Sequence, residues 1–239
     1  MSGMVKPSVV LFDVYNTLLE IRTAEHDPAV WTHLARFLGY QGLQLDGELL
    51  HATFLAHVRA RQVASGEAYP EIDLVSIFQQ LLRAHGLAHP AAVAVYVTHL
   101  LRTLSIRRLR LFPDTLRTLH ALHGMFPLGL ITDAQRVFVE PELAQVGVTG
   151  YFAVRIISSD YGFRKPDPRL FGTALERLGV GPEEAIYVGD NGFRDVYGAQ
   201  RAGLRGVLVQ RQGRQEAAGR WRAELTVSTL DELVAWLRH

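Results

Sequence analysis

Asp13 closes the apolar run Ser8 to Phe12 and is followed by Tyr15 and Thr17; Thr132 and Asp133 close Leu128 to Ile131. Lys165 opens the loop Lys165-Pro166-Asp167-Pro168, and Asp190, Asn191 and Asp195 follow Ala185 to Val188. A carboxylate at the tip of a strand, followed by a turn, can present its own oxygen and free backbone N–H groups to one incoming group, as covalent catalysis by aspartate requires. The chain has no cysteine, so its chemistry must run on oxygen and nitrogen side chains; thiolate zinc sites, cysteine nucleophiles and disulfide scaffolds are excluded. Each of these residues also has a plainer use taken alone. Asp13 can start a turn, Thr132 can cap a helix, and Asp195 can sit in a helix's first turn where the dipole favours an acid. The weight therefore lies on their joint placement.

That placement depends on the elements between them. Ser8 to Phe12, Leu128 to Ile131, Ala153 to Ile157, Ala185 to Val188 and Gly206 to Val209 are short apolar runs, mostly β-branched, of the kind that form buried parallel strands. Helical patterns fall between them at Asp114 to His123, Pro141 to Val146, Pro168 to Leu178 and Phe193 to Ala202. Strand and helix alternate, which predicts an α/β fold with a doubly wound parallel sheet covered on both faces. In such a sheet ligands bind beyond the carboxyl ends of the strands, where the residues above converge. From Thr23 to Arg108 the alternation breaks: apolar residues recur at helical spacing and no strand is evident, so this stretch reads as a helical insert. Arg211 to Arg222 reads as a polar surface loop, its four arginines a solvated face, before a last strand and the helix Thr229 to Arg238.

The segments LFDVYNTLLE, GLITDA, FRKPDPRLF and YVGDNGFRDVYGAQRAG, in this order and each at an expected strand end, resemble the four motifs of the haloacid dehalogenase superfamily of hydrolases. The resemblance covers nearly the whole chain. It implies a Rossmann-like core formed by residues 1–22 and 109–239 and a small all-helical cap formed by residues 23–108. It further implies that Asp13 is the nucleophile and forms a covalent intermediate that water hydrolyses. Thr132 would hold a substrate oxygen through its hydroxyl and N–H, and Lys165 would neutralise the nucleophile and the charge developing on the substrate. Asp13, Asp190 and the backbone carbonyl of Tyr15 would hold Mg²⁺, with Asp195 supporting the site, often by holding the lysine or a metal-bound water. Thr17 and Asn191 stand beside these groups as supporting residues, and Asp133 either caps the next helix or reaches toward the substrate.

The sequence departs from the phosphatase pattern at one position. Two residues after the nucleophile, phosphatases of the superfamily usually carry a second aspartate that protonates the leaving group; here the residue is Tyr15. A tyrosine there resembles the haloacid dehalogenases, whose halide departs unprotonated. Those enzymes, however, carry Ser at the Asp190 position and Asn at the Gly192 position, and usually Gly where Asn16 stands. Charge favours the phosphatase side: Asp13, Asp190 and Asp195 against Lys165 leave the site too negative to admit an anion without another cation, and Mg²⁺ removes the difficulty. Hydrolysis of a small phosphorylated substrate with Mg²⁺ is therefore expected, with carbon–halogen hydrolysis and a non-catalytic phospho-ligand or protein-binding module as alternatives. Tyr15 is a poor acid–base group at neutral pH, so the substrate has a good leaving group or Asp133 or a cap histidine supplies the proton.

Composition limits the partners. Lys+Arg exceed Asp+Glu by a single charge and 48% of residues are hydrophobic, which excludes a polyelectrolyte or a strongly basic nucleic-acid binder. No apolar stretch approaches the roughly 20 residues needed to span a bilayer, and the first twelve residues lack a signal peptide's apolar run. A cytoplasmic monomer or homodimer acting on a small molecule is expected. In the cap, Arg22, Arg36 and Arg59 are possible anion clamps and Trp31, Phe54 and Tyr69 possible pocket walls, and none is assigned to substrate.

Overall fold

A computed structural model describes residues 6–211 and 221–238. Six parallel strands form one sheet: β1 (Val9–Phe12), β4 (Leu128–Thr132), β5 (Phe152–Ile157), β6 (Ala185–Gly189), β7 (Arg205–Val209) and β8 (Leu225–Val227), in the order β5-β4-β1-β6-β7-β8. The first strand lies in the middle, hydrogen-bonded to β4 on one side and β6 on the other, so the chain winds outward in both directions from Asp13. Alternation along β1 explains the two covered faces. Val10 and Phe12 pack under α5 (Thr115–His123), α6 (Arg136–Gln145) and α9 (Leu230–Leu237), whereas Val9 and Leu11 pack under α7 (Pro168–Leu178) and α8 (Gly198–Arg201). Both rows are wholly buried, which is why the strands read as unbroken apolar runs.

Between β1 and β4 the chain forms β2 (Leu19–Thr23), α1 (Pro28–Tyr40), α2 (Gly47–Ala64), α3 (Leu74–Ala84), α4 (Pro90–Ser105) and β3 (Ile106–Leu111). The four helices bury their own apolar cluster, including Trp31, Leu34, Leu50, Phe54, Phe78, Leu81 and Val97. Aspartates begin three of them: Asp27, Asp46 and Asp73 each accept a backbone N–H of the first turn. Four helices thus lie in this stretch, and its two ends are extended. Thr23 and Ile106 to Arg108 lie in strands, and β2 pairs with β3 in an antiparallel ribbon, with Glu20 bonded to Arg108 and Arg110 across it. The boundaries expected near residues 22 and 108 therefore fall inside one element.

Two further expectations are corrected. The helix expected from Pro141 starts five residues earlier, at Arg136, with Pro141 inside it. Proline cannot donate to the carbonyl four residues before it, and His99 of α4 contacts that carbonyl, of Val137, instead. Arg211 is not solvated: its guanidinium pairs with Asp114 at 2.6 Å, donates to Thr17 O at 2.7 Å and lies 4.1 Å from the Phe112 ring centroid. Arg222 is exposed, while Arg214 and Arg220, with most of the expected loop, lie outside the described residues.

Candidate active site

The carboxyl ends of β1, β4 and β6 and the loop before α7 meet at one buried ammonium. Lys165 Nζ donates to Asp13 Oδ1 at 2.8 Å, to Asp195 Oδ1 at 2.6 Å and to the Tyr187 hydroxyl at 2.8 Å. Each neighbour is held in turn. Asp13 N donates to Val188 O, tying the end of β1 to β6. Tyr187 donates to Ile131 O at 2.7 Å, and Asp195 Oδ2 accepts Asn191 N at 2.9 Å. Asp195 folds back against the strand end only because residue 189 is glycine, since a Cβ there would lie 2.3 Å from the Asp195 carboxyl carbon.

Local sequence chemistry sets these positions. In Lys165-Pro166-Asp167-Pro168, Asp167 accepts Arg169 N and Pro168 occupies the first helical position, so the loop ends as the N-terminus of α7. Asp133 Oδ1 accepts Lys165 N at 2.9 Å, joining the end of β4 to this loop. Asn191 accepts Arg194 N and begins a π-helical turn, Gly192–Tyr197, that carries Asp195 and leads into α8. After Asp13 the chain turns sharply: Asn16 has φ of 63°, a left-handed conformation that asparagine and glycine tolerate best.

Burial governs the electrostatics. It pushes the Asp13 carboxyl up to about 6, against the opposing pull of Lys165. It would lower Lys165, but Asp13, Asp195 and Asp133 hold that ammonium above its ordinary range, so it stays charged. Burial also raises Asp133, opposed by Lys165 and by Arg194, whose Nη1 lies 3.8 Å from Asp133 Oδ2. The buried hydroxyl of Thr132 has no hydrogen-bond partner among the described residues, and neither does that of Thr17. Carboxylate oxygens of Asp13, Asp190 and Asp195 lie within 4.8 Å of one another, a hard-oxygen set of the kind Mg²⁺ takes.

Asp13, Asp133, Lys165, Asp190, Asn191 and Asp195 are thus brought to one region, whereas Thr17 O accepts Arg211 and the side chain of Tyr15 turns to α6. Its hydroxyl donates to Glu142 Oε2 of α6 at 2.5 Å, and burial raises its pKa beyond the ordinary phenol value. Beside it lies a cavity of about 310 Å³ between core and insert, whose walls include Tyr15, Glu71, Arg102, Asp133, Arg164 and Arg194. The insert residues considered from sequence are elsewhere: Trp31 and Phe54 are in the insert's own core, and Arg22, Arg36 and Arg59 are exposed. Tyr69 contacts Phe193 edge-on at 6.2 Å. Sequence reasoning missed Tyr187, Arg102 and Glu142. Tyr187 was findable, since it is the only residue of the run Ala185 to Val188 with a polar atom to satisfy. Arg102 and Glu142 carry no local signal, because each is explained only by the other.

Comparison with known proteins places this geometry in context. The family model for haloacid dehalogenase-like hydrolases matches residues 7–203. Glyceraldehyde 3-phosphate phosphatase of Methanopyrus kandleri is 38% identical over 160 residues, 59% of this chain and 67% of that protein. Phosphoserine phosphatase of Thermus thermophilus is 41% identical over 111 residues, 46% of this chain and 45% of that protein, so this alignment spans less than half of either. Among solved structures, 2-haloacid dehalogenase from Pseudomonas syringae pv. Tomato DC3000 has a TM-score of 0.72 at 23% identity, covering 97% of this chain and 98% of that one, a likeness of fold. A HAD phosphatase from Thermococcus onnurineus has a TM-score of 0.61 at 28% identity, covering 96% and 97%.

Proposed function

The chain belongs to the haloacid dehalogenase-like hydrolase family, and on that premise we propose that it hydrolyses small phosphorylated substrates through a covalent intermediate on Asp13. The observation that carries this reading is the cluster of Asp13, Asp190 and Asp195, whose carboxylate oxygens lie within 4.8 Å of one another, with Asp13 and Asp195 on one ammonium. Hard oxygens gathered this closely suit Mg²⁺, whose charge would let an anionic substrate approach them. Asp13, Asp190 and the Tyr15 carbonyl would hold Mg²⁺, while Asp195 is occupied by Lys165 and Asn191 N. When bound, the ion supplies positive charge against the phosphoryl oxygens. The dehalogenase pattern lacks the carboxylate at residue 190, and the relatives at 38% and 41% identity are named as phosphatases.

The chain's own groups then divide the work. An Asp13 oxygen attacks phosphorus, the bond from phosphorus to the ester oxygen breaks, and water later cleaves the aspartyl phosphate to return the carboxylate and free phosphate. Lys165, fixed by three partners, orients the attacking carboxylate and offsets charge on the transferring group. The buried Thr132 hydroxyl, which has no partner among the described residues, would hold a phosphoryl oxygen, and Asp133 fixes the Lys165 loop by accepting the Lys165 backbone N–H. The helices above the ribbon serve as the cap that covers the strand ends and selects the substrate. We place the protein in the cytoplasm as a monomer or homodimer, acting on neither nucleic acid nor membranes; its near-neutral charge supports this, and no helix among the described residues is long and apolar enough to cross a bilayer.

Assays of p-nitrophenyl phosphate and L-2-chloropropionate, each with Mg²⁺ and with EDTA, test the proposal. Nitrophenol release that EDTA abolishes, without chloride release, is the expected result. Metal-independent chloride release would instead establish the reading that Tyr15 favours, carbon–halogen hydrolysis.

A further inference from the structure

Glu142 is a buried carboxylate to which the reaction above gives no task. Its Oε1 accepts Arg102 Nε at 2.6 Å, and its Oε2 accepts Arg102 Nη2 at 3.2 Å together with the Tyr15 hydroxyl. The three residues come from three places. Arg102 is in the last turn of α4 in the insert, Glu142 is on α6 of the core, and Tyr15 stands two residues after Asp13. The guanidinium is also 5.3 Å from the Tyr15 ring centroid and 4.9 Å from that of Phe138, so it is sandwiched as well as paired. The side chains of Arg102 and Glu142 are 11% and 6% exposed. A forked, charge-assisted pair this dry cannot be opened on one side without leaving a buried charge behind. If the insert lifts, Arg102 leaves Glu142, and the phenol that shares the same carboxylate oxygen loses its setting too.

The loop that begins at Asp13 and carries the Tyr15 ring is also tied at its backbone. Asn16 N donates to Leu19 O, Leu18 N and Leu19 N donate to Val14 O, and Tyr15 bridges to Leu19 at the start of the ribbon. The loop is therefore held by its backbone at Leu19 and by its ring at Glu142, and its phenolic proton is directed at α6. We propose that Arg102, Glu142 and Tyr15 form a latch that sets the Asp13 loop only when the insert is seated, with Tyr15 a positioning residue and not the proton donor. This inference rests on the phosphatase reading for its kinetic test alone.

The test compares the parent with Tyr15→Phe, Arg102→Gln and the double variant on p-nitrophenyl phosphate and ethyl phosphate, with hydrogen exchange measured on the same proteins. Misplacing a reacting group by about 1 Å reduces rates by roughly 10- to 100-fold, so each single variant should lose about that factor in kcat. The loss should be equal on both substrates, the double variant should be no worse than the singles, and Arg102→Gln should speed exchange of the amides at residues 14–18, which belong to the core. A Tyr15→Phe loss that is much larger on ethyl phosphate would identify a proton donor and overturn the latch, as would additive losses or unchanged exchange at residues 14–18. If the parent hydrolyses neither ester, the phosphatase reading fails while the exchange measurement still decides the latch.

Discussion

Two buried ion networks flank the first-motif loop, and they are built in opposite ways. One centres on a cation: Lys165 gathers Asp13 and Asp195, from the turns just beyond β1 and β6, and Tyr187, from the middle of β6. The other centres on an anion: Glu142 gathers Tyr15 and Arg102, joining core and insert. The first is assembled by the sheet itself, because parallel strands of one register deliver their carboxyl ends to one edge. The second exists only when two separately packed bodies meet. On the readings proposed above, the first serves chemistry that must be ready at all times and the second reports whether the insert is seated.

Breaking the cation-centred network should have the largest effect. Asp13→Asn removes the proposed nucleophile, and p-nitrophenyl phosphate turnover should fall by about 10⁴-fold or more; substantial residual turnover would show that another group attacks. Lys165→Met should come next, at about 10³-fold in kcat. Without the ammonium, Asp13 and Asp195 face each other in a dry site and one must hold a proton. Mass spectrometry for a trapped aspartyl phosphate would show whether the first transfer is the step lost.

A third buried pair sharpens the contrast by serving stability. Burial pushes the Asp114 carboxyl up, but the hydrogen bonds from Arg211 and Leu230 N and the Arg211 charge outweigh it and hold the pKa below the ordinary carboxylate value. A depressed folded pKa contributes stability that is present above the unfolded value of about 3.9 and lost as pH falls through the folded value. Asp114→Asn should therefore cost about 3 kcal/mol in urea unfolding at pH 7 and much less at pH 3. Equal losses at both pH values would mean the pair contributes packing and not charge. The smallest effect belongs to Tyr187→Phe, which leaves the ring in place and removes one partner of Lys165. About 1 kcal/mol of stability should be lost, with a modest fall in kcat and an unchanged KM; a raised KM would place the hydroxyl in contact with substrate.

The same contrast explains what the sequence made legible. The strand-end residues could be read because a β-branched run such as Val9 to Phe12 announces both the strand and the polar residue that closes it. The ribbon could not: β3 reads Ile-Arg-Arg-Leu-Arg-Leu, whose arginines suggest a helix's solvated end until Glu20, some ninety residues earlier, is seen to pair with two of them. Pro141 hid the first half of α6, because the price of an interior proline is normally a broken helix and the compensating His99 lies in the insert. Arg211 looked like a surface charge, and Glu142 gave no reason to single it out, on the same ground. Their partners are distant in sequence, and a single charged residue in a helix or loop gives no sign that it has been buried.

The insert also rests on the core at a backbone bridge between Pro70 and Phe163, where Glu71 N donates to Gly162 O and Arg164 N donates to Tyr69 O. Viewed mechanically, the insert has one covalent pivot, the ribbon, and several releasable supports, among them this bridge, Arg102 on Glu142, His99 on Val137 O and Gln135 on Leu74 N and Ile72 O. The bridge sits on the residues just before Lys165 and Arg102 beside the ring just after Asp13, so two of these supports adjoin the two ends of the Lys165–Asp13 ion pair. On the reading proposed above, lifting the insert would then also load the Lys165–Asp13 pair from both sides, so that the motion admitting a new substrate is felt at the two atoms proposed to act on it.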